Sequence, residues 1–432
     1  MKNIVIVGGG AGGLELATKL GDTFGKRNQA NIHLVDANNT HLWKPLLHEV
    51  ATGSLDSGID ELSYRAQAYN HHFKFHIGRM NNLDRDQKEI ILEPISDENG
   101  ELILPERRLQ YDTLILAIGS QTNDFGTKGA KQHCSFLDSR SQADKFHQKL
   151  LNTYLKANNT AAQKGNYKLN IAIVGAGATG VELAAELHNT ASELSAYGLD
   201  RLSKDQLQVT IIEAGERILP ALPPRISLAA HRELEKLNIK IRNNTFIQEV
   251  TEQGFVTKDG LIIDAELKIW AAGVKAPQWM SNLGGLETNR VNQLVVKPSL
   301  QTTLDECIFA IGDCSFMLQD NGTPVPPRAQ AAHQQAYHVY KNLVRISEAR
   351  EPKAYVYKDK GSLVNLSRYS TVGSLMGNLS SGSMMIEGKI ARIVYVSLYR
   401  LHQVALHGYF KTILMSISGR INKVIRPRLK LH

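Results

Sequence analysis

The chain has 432 residues, of which 42% are hydrophobic and 21% are charged, as in ordinary globular proteins. A chain of this length is expected to form two or three domains, because a single core stops growing at roughly 250–300 residues. The three cysteines form no CxxC pair and no disulfide framework, which favours a reducing compartment. The only apolar run near the start is short and leads into glycines, so no signal peptide is expected.

The formal net charge of +8 belongs to one end of the sequence. Residues 388–432 contain nine Lys and Arg residues and no Asp or Glu, whereas the remainder holds 41 basic and 42 acidic residues. Because no recognition fold surrounds the basic end, nucleic acid is not an expected partner.

The first βαβ unit carries the most informative motif. A β-branched run at residues 4–7 is typical of a strand buried on both faces, and helical character resumes at residues 14–20. Between them stand three glycines in the spacing Gly-x-Gly-x-x-Gly: Gly8, Gly10 and Gly13. They permit a tight turn, the approach of a pyrophosphate and close helix–strand packing. The next strand ends in Asp36, whose carboxylate can accept ribose hydroxyls, so the unit is predicted to bind a dinucleotide.

After this fingerprint the chain alternates loops, strands and one polar helix. Residues 41–53 are predicted to form a loop and a short helix. A buried strand then ends in a turn at Gly119 and is expected to return to the first sheet. The polar helix is predicted at residues 141–156, and the composition of residues 157–165 is typical of a loop.

The opening pattern recurs from residue 169. A strand is again followed by Gly-x-Gly-x-x-Gly, here at Gly175, Gly177 and Gly180. The second strand of this repeat ends in Glu213, and residues 189–206 are expected to extend the crossover helix. Two complete fingerprints predict two bound dinucleotides.

Two later strands also end in glycines. One closes the second nucleotide fold at Gly273, and the other is expected to rejoin the first sheet at Gly312 and Asp313. We therefore predict an α/β fold with two Rossmann-like dinucleotide-binding domains, the second inserted in the first. The predicted boundaries are 1–125 and 291–385 for the first domain, 126–290 for the second, and 386–432 for an amphipathic membrane-binding tail.

The residues after the second acid restrict the nucleotide. Ala214 follows Glu213, and the nearest arginine, Arg217, is too far along for a 2′-phosphate. A carboxylate there repels a phosphate and accepts two hydroxyls, which favours NADH over NADPH. Two nicotinamide cofactors would have nothing to exchange, whereas a flavin accepts hydride at N5. FAD in the first fold and NADH in the second is the expected assignment.

Four features together resemble one family of flavoprotein reductases. They are the two fingerprints, Lys-Pro-Leu-Leu-His-Glu-Val-Ala-Thr-Gly at residues 44–53, Ala-Ile-Gly-Asp at 310–313 and Ala-Gln-Ala-Ala-His-Gln at 329–334. Over essentially the whole chain the sequence resembles the type II NADH dehydrogenases, single-subunit NADH:quinone oxidoreductases of bacterial membranes. The resemblance implies that NADH reduces FAD, and that two electrons and two protons then reach a membrane quinone. No transmembrane path is visible, so no proton pumping is expected.

The resemblance also implies roles for single residues. FAD would be bound by Gly8, Gly10, Gly13, Asp36, Pro45, Leu46, Leu47, Thr52, Gly53 and Asp313, and NADH by Gly175, Gly177, Gly180 and Glu213. The glycine turns at Gly119, Gly273 and Gly312 are also expected to contact the cofactors. Glu182 would lie between the two cofactors, and Gln330 and Gln334 would face the quinone.

Ordinary structural roles remain open for several of these residues. Glu182 is compatible with a first-turn acid favoured by the helix dipole, and Asp313 with a helix N-cap. Gln330 and Gln334 share one helix face and are compatible with a solvated one. The histidines at positions 41, 48 and 333 have no metal-ligand spacing, so no metal is expected and these side chains are predicted to pack or to form hydrogen bonds.

The identity of the electron acceptor is also open at this point. Residues 41–53 lack the Cys-x-x-x-x-Cys pair of disulfide reductases, which argues against a dithiol acceptor. Cys307 and Cys314 flank a strand near the expected flavin, which leaves a sulfide:quinone reductase as one alternative. A ferredoxin-type reductase is a second, and a non-catalytic nucleotide-binding flavoprotein is a third.

The tail suggests how the protein reaches a quinone in a bilayer. Residues 393–415 are long enough to span, but their polar side chains argue against it. Arg400, Gln403, His407 and Lys411 are spaced as a polar stripe, with Val394, Leu398, Leu401 and Ala405 on another side. This pattern, followed by five basic residues between 420 and 430, predicts an interfacial helix on anionic lipid, on the cytoplasmic side of the inner membrane. Packing of the helix on the protein body or on a second subunit, as in a homodimer, is the alternative.

Overall fold

The computed structural model describes residues 1–56, 61–164, 167–202, 206–367, 370–376, 383–425 and 429–430. The chain divides into two compact units. The first unit comprises Met1–Lys44, Glu61–Gln121 and Val274–Lys358. The second unit comprises Pro45–Asp60, Thr122–Gly273 and Asp359–His432.

The strands are numbered in chain order. They are β1 (Lys2–Val7), β2 (Ala30–Asp36), β3 (Thr40–His41), β4 (Leu62–Ser63), β5 (Lys74–Ile77), β6 (Met80–Asp84), β7 (Glu89–Leu92), β8 (Ile95–Ser96), β9 (Leu102–Leu104), β10 (Arg107–Gln110), β11 (Thr113–Leu116), β12 (Gln121–Thr122), β13 (Leu169–Val174), β14 (Leu207–Ile212), β15 (Lys240–Arg242), β16 (Ile247–Val250), β17 (Gly254–Thr257), β18 (Ile262–Asp264), β19 (Leu267–Trp270), β20 (Val274–Lys275), β21 (Leu294–Val295), β22 (Ile308–Ala310), β23 (Ser315–Phe316), β24 (Gly361–Leu366), β25 (Ser370–Met376) and β26 (Ser383–Glu387).

The α-helices are numbered in the same way. They are α1 (Ala11–Leu20), α2 (Leu47–Thr52), α3 (Tyr64–Asn70), α4 (Ala130–His133), α5 (Arg140–Lys164), α6 (Ala178–Ala196), α7 (Pro224–Lys236), α8 (Ala329–Ser347) and α9 (Gly388–Ile425). Short 3₁₀ helices cover Lys44–Leu46, Gln278–Gly285 and Gly312–Cys314, and a π-helical turn, Gly21–Gly25, follows α1.

The first unit is built on a parallel sheet in the order β22-β11-β1-β2-β5. Val5 of β1 pairs with Leu114 of β11 and with His33 of β2, and it is completely buried. A strand covered on both faces needs a continuous apolar run, which explains the β-branched sequence of β1. β22 pairs with β11, which confirms that the strand before Asp313 rejoins the first sheet.

The second unit repeats this arrangement in a parallel sheet of order β15-β14-β13-β19. β19 lies beside β13 as β11 lies beside β1, so the strand before Gly273 closes this sheet as predicted. An antiparallel sheet, β16-β17-β18, packs around Phe255 in the same core. Strands β13 to β19 come between β11 and β22 in the chain, which confirms an α/β protein with one nucleotide fold interrupting the other.

Two predictions about helix ends are wrong. Residues 157–164, expected to be a loop, continue α5, because Ala157 and Ala161 are buried on the face that also carries Leu150 and Tyr154. The crossover helix α6 ends at Ala196 and does not extend to residue 202. Residue 165 of the first prediction and residues 203–205 of the second lie outside the described residues.

The tail helix α9 is bent at Gly408, whose φ of 74° and ψ of 172° are not helical. The predicted continuous polar stripe is therefore wrong: Gln403 is buried, whereas Lys411, beyond the bend, is exposed. Arg426 and Arg428 of the predicted basic segment lie outside the described residues. Within the described part of the chain, no helix combines the length and the apolar character that crossing a membrane requires.

Candidate active site

The first fingerprint forms a tight loop between β1 and α1. Gly8 donates its backbone N–H to the Val35 carbonyl at 2.8 Å, and Gly9 donates to Asp36 Oδ2 at 2.7 Å. A Cβ on Gly13 would lie 1.9 Å from the Gly8 carbonyl oxygen, so only glycine permits this helix–strand contact. At Gly10 a Cβ would meet no protein atom within 4 Å, so the loop is open there.

The second fingerprint repeats the same contacts in the second unit. Gly175 donates to the Ile212 carbonyl at 2.8 Å, and Ala176 donates to Glu213 Oε2 at 2.8 Å. A Cβ on Gly180 would lie 2.0 Å from the Gly175 carbonyl oxygen, whereas Gly177 again faces open space. Each terminal acid thus accepts an N–H from its own glycine loop.

Both loops fit a dinucleotide pyrophosphate. Helices α1 and α6, both fully described, have Gly10 and Gly177 as their N-caps, so they lack a side-chain cap, and neither has an acidic residue in its first turn. Their first N–H groups and the positive end of the helix dipole therefore favour an anion. The open positions at the two glycines let phosphate oxygens approach the backbone.

Two side chains support the first loop: Tyr64, which sequence reasoning missed, and His41, which is expected to pack or to form hydrogen bonds. The carbonyl oxygen of Gly9 accepts hydrogen bonds from the Tyr64 hydroxyl at 2.8 Å and from His41 Nδ1 at 2.9 Å. Burial, with the nearby charge of Asp36, raises the pKa of Tyr64 well above its usual value, so its hydroxyl remains a donor. Burial also raises the pKa of Asp36, although the N–H groups of Gly9 and Asn38 oppose the rise.

Asp313 follows β22 in the short helix Gly312–Cys314, whose N-cap is Ile311, so Asp313 is not the N-cap. Its Oδ2 accepts a hydrogen bond from the Ser120 hydroxyl at 2.7 Å, next to the turn at Gly119. Its carbonyl accepts from Gln293 Nε2 at 2.8 Å. These contacts fix the position of the carboxylate inside the first unit.

The glutamine motif lies at the start of α8. Gln330 is half-buried. Gln334 holds the backbone of Lys358, donating to its carbonyl at 2.9 Å and accepting from its N–H at 3.1 Å. The neighbouring Gln335 is 1% exposed and accepts from the Gly312 N–H at 2.7 Å. Gln335, which the sequence analysis did not single out, therefore links α8 to the turn that carries Asp313.

The segment expected to line the flavin lies in the second unit. Pro45 is exposed, whereas Leu46, Leu47 and Thr52 are buried. The hydroxyl of Thr52 donates to the His48 carbonyl of its own helix at 3.0 Å. Helix α2 then ends in a left-handed turn at Gly53. Gly273, also in this unit, occupies the turn after β19.

Glu182 is buried beside this segment and lies beyond the first turn of α6, so it is not a first-turn acid. Its Oε1 accepts from the backbone N–H of Asn365 at 3.0 Å, and its Oε2 lies 3.8 Å from His48 Nδ1. Burial raises the pKa of Glu182 to about 8, and the carboxylates of Glu49 and Glu186 add to the rise. Burial lowers the pKa of His48 to about 4, against the opposing charge of Glu186.

Cys314 lacks the environment of a reactive thiolate. Cys314 is buried, and its hydrogen bonds go to backbone carbonyls of Leu116 and Ile311. Burial raises its pKa to about 11. A thiol with a raised pKa is a poor nucleophile at neutral pH, which disfavours sulfide chemistry at this position.

The whole chain has known relatives. The family model "Pyridine nucleotide-disulphide oxidoreductase" matches residues 2–336. The chain is 50% identical to the type II NADH:quinone oxidoreductase of Haemophilus influenzae, with 100% of both chains covered. It is 28% identical to the type II NADH:quinone oxidoreductase NdhA of Mycobacterium tuberculosis, covering 98% of this chain and 88% of the relative.

A solved structure shares the fold. The structure of NDH2 from Plasmodium falciparum in complex with NADH is similar with a TM-score of 0.83, covering 99% of this chain and 100% of that one, at 21% identity. The full-length match to the Haemophilus influenzae protein decides the relationship. The chain belongs to the pyridine nucleotide-disulphide oxidoreductase family and, within it, to the type II NADH:quinone oxidoreductases.

Proposed function

We propose that this protein oxidises NADH and reduces a membrane quinone, with FAD in the first fingerprint and NADH in the second. The observation that carries the proposal is the duplication of one site. Gly9 with Asp36 and Ala176 with Glu213 form the same N–H to carboxylate contact in two separate units. Two such loops in one chain suit two dinucleotides between which a hydride can pass.

FAD, when bound, would supply an acceptor for hydride and a carrier for the two electrons that quinone reduction requires. The chain's own residues bind and orient the reactants. The first loop, with Asp36, would hold the FAD pyrophosphate and ribose, and Asp313 would contact the flavin side. Gln330 and Gln334 would face the quinone, whose carbonyl oxygens accept hydrogen bonds from amide groups. Gln334 would do so with its second N–H, because its first N–H and its oxygen bind the backbone of Lys358.

Glu182 is suited to hold a proton near the reacting groups. Its pKa of about 8 keeps the carboxyl group protonated at neutral pH. Because Oε1 already accepts the Asn365 N–H, the proton is expected on Oε2, which faces His48. Quinone reduction consumes two protons, so a neutral buried acid is a suitable donor for one of them.

The catalytic proposal is tested by following flavin absorbance in a stopped-flow instrument under anaerobic conditions. NADH is expected to bleach the flavin of the purified holoprotein, and a soluble quinone analogue to restore it within one turnover. Bleaching over minutes at saturating NADH would favour a non-catalytic nucleotide-binding protein. A restored spectrum with sulfide-derived or ferredoxin-type acceptors, but not with quinone, would favour a related reductase.

No proton gradient is expected from this activity. Purified enzyme reconstituted on the outside of sealed quinone-containing vesicles should oxidise NADH without changing the pH of the lumen. Acidification or alkalinisation of the lumen that an uncoupler abolishes would contradict the proposal. A matched sample without quinone gives the background.

The tail is proposed to dock the protein on the inner face of the cytoplasmic membrane. Beyond the bend at Gly408, Tyr409 and Phe410 are 76% and 75% exposed, and further exposed apolar side chains follow at helical spacing: Ile413, Leu414, Ile417 and Ile421. Residues four apart lie on one face of a helix, so they form a single exposed apolar face. A face of this kind inserts into the boundary between headgroups and acyl chains. Lys411, exposed among them, adds attraction to anionic lipid.

Docking is tested with the double variant Phe410→Ser/Ile413→Ser. Both side chains are exposed, so the fold should be unaffected, while each lost apolar contact weakens membrane binding by about 1.5–3 kcal/mol. Co-sedimentation with phosphatidylethanolamine and phosphatidylglycerol vesicles should fall more than tenfold. Leu318→Ser, an equally apolar exposed position in the first unit, is the control. Unchanged vesicle binding combined with a change in oligomeric state would instead assign the face to a second subunit.

A further inference from the structure

Lys430, in the short described segment beyond the long helix α9, contacts the turn that ends α2. This turn, residues 52–54, is called the Gly53 turn. The backbone N–H of Lys430 donates to the Gly53 carbonyl at 2.9 Å. The carbonyl of Lys430 accepts from His147 Nε2 at 2.9 Å. The preceding Leu429 is 2% exposed, so this short segment is packed into the second unit.

The Gly53 turn has little room for another arrangement. Gly53 has a φ of +81°, and its N–H donates to the Val50 carbonyl at 3.0 Å. A Cβ at this position would lie 2.3 Å from His147 Cε1, so the turn requires glycine for its conformation and for its space. The His147 ring therefore packs directly on the turn that Lys430 also contacts.

The contacts of the turn come from three separate elements. Helix α6 contributes Thr190, whose hydroxyl donates to the Thr52 carbonyl at 3.3 Å. Helix α5 contributes His147, and the segment after α9 contributes Lys430. Gly53 is buried, so loss of the Lys430 N–H would leave a buried carbonyl without that donor. Burial lowers the pKa of His147, so the ring is neutral at pH 7 and keeps one N–H for Lys430.

The side chain of Lys430 forms an ion pair that contributes less to the turn than the backbone hydrogen bonds of the same residue. Nζ lies 3.6 Å from Asp56 Oδ1, and the Asp56 side chain is 41% exposed. Exposed ion pairs contribute little to stability. The backbone groups of Lys430, bound on both sides, are therefore the part of this residue that matters for the turn.

We propose that the backbone of Lys430 is a positioning element for the Gly53 turn, so that the tail helps to hold the flavin-lining segment as well as docking the protein. This inference rests on the proposed function, and on the family resemblance that implies a role for Thr52 and Gly53 in FAD binding. It assigns the tail two separable tasks. The apolar face of α9 contacts lipid, and the segment at Leu429 and Lys430 fixes the turn beside the cofactor.

The test compares Lys430→Pro with Lys430→Ala in the full-length holoprotein. Proline has no backbone N–H, so Lys430→Pro removes the donor to the Gly53 carbonyl, whereas Lys430→Ala keeps it and removes only the ion pair. Hydrogen exchange of the Gly53 and Leu55 amides reports on the turn, since they donate to Val50 and Glu49 carbonyls within it. The rate of FAD release after dilution reports on the cofactor. Vesicle co-sedimentation reports on docking.

Lys430→Pro should speed exchange of these two amides and FAD release by about tenfold, the effect of losing one buried hydrogen bond. Lys430→Ala should stay within twofold of the parent protein in both measurements. Both variants lose the same cation, so they should bind vesicles equally well. His147→Phe, which removes the other donor, should reproduce the faster exchange. Equal exchange in the proline and alanine variants would overturn the proposal, as would faster exchange without faster FAD release. A parent protein that fails to reduce quinone would refute the proposed function alone, because the exchange comparison does not depend on turnover.

Discussion

His48 Nδ1 lies 3.8 Å from Glu182 Oε2 in the interior of the second unit. Burial removes both groups from water. It disfavours charge on both, so it lowers the pKa of His48 to about 4 and raises that of Glu182 to about 8. At neutral pH the pair is therefore a neutral imidazole beside a neutral carboxylic acid. Two titratable groups whose environments push their pKa values apart are typical of acid–base sites.

This pair predicts a pH dependence of stability. In the folded protein Glu182 keeps its proton up to about pH 8, whereas in the unfolded chain it releases the proton above its usual pKa of 4.5. Its contribution to the free energy of unfolding is therefore lost as the pH rises from 4.5 to about 8. His48 has the opposite effect, because its contribution is lost as pH falls from 6.5 to about 4. Between pH 6.5 and 8 the Glu182 contribution to the free energy of unfolding changes by about 2 kcal/mol, whereas most of the His48 change lies below pH 6.5.

Glu182→Gln should abolish this loss, because the amide does not titrate. The measurement is denaturant unfolding of the second-unit signal at pH 6.5 and pH 8 with excess FAD, in the parent and the variant. Glu98 is exposed, so Glu98→Gln is the control that removes a carboxylate which is not buried. A parent protein whose unfolding free energy has the same pH slope as the Glu182 variant would show that the buried acid is ionised throughout.

The same acid predicts a pH dependence of quinone reduction. If the neutral carboxyl group supplies a proton, the rate of flavin reoxidation by quinone should decline above about pH 8. Glu182→Gln should lower that rate at least about tenfold and remove the decline, as expected for loss of a general acid. Flavin reduction by NADH, measured in the same instrument, should be unchanged. An equal loss in both half-reactions would indicate a distorted site instead of a missing proton donor.

Local patterns account for what the sequence predicted well. The two glycine fingerprints, the strands before them and the terminal acids depend on neighbours within one βαβ unit, and the structure forms each of these contacts. The error at residues 157–164 has a local cause too. Asparagine and glutamine in that stretch are typical of loops, but Ala157 and Ala161 continue the buried face of α5.

The supporting residues were missed because their partners are distant in sequence. Tyr64 contacts Gly9 across 55 positions, and His147 contacts Lys430 across 283. No spacing rule links such residues in a single sequence. Gln335 is a nearer case, since it follows the recognised Gln334 directly. Its burial on the other side of α8 depends on how that helix packs, which the motif alone does not specify.

Gly10→Ala and Gly177→Ala should separate the two cofactors. At both positions a Cβ meets no protein atom within 4 Å, so the variants should fold, but the methyl group would enter the space reserved for a pyrophosphate. Gly10→Ala should be purified largely without flavin. Gly177→Ala should retain flavin absorbance and show a KM for NADH raised at least about tenfold. Loss of flavin in Gly177→Ala with retention in Gly10→Ala would reverse the assignment of the two loops.

Glu213 should determine the choice between NADH and NADPH. Its Oε2 accepts from the Ala176 N–H and its Oε1 from the Gly215 N–H, so both oxygens are held in place at the end of β14. Under the proposed function, a carboxylate here would repel the 2′-phosphate of NADPH. Glu213→Gln removes the charge and one of these acceptors. We expect kcat/KM for NADH to fall and the NADPH to NADH ratio of kcat/KM to rise at least about tenfold, since like-charge repulsion is lost.

Asp36→Asn makes the same chemical change in the first loop and is the matched control. Because that loop is assigned to FAD, the variant should weaken flavin retention and leave the NADPH to NADH ratio unchanged. The comparison tests the assignment of both acids in one assay. A ratio that shifts in the Asp36 variant, or fails to shift in the Glu213 variant, would mean that the nicotinamide cofactor does not bind where the second acid lies.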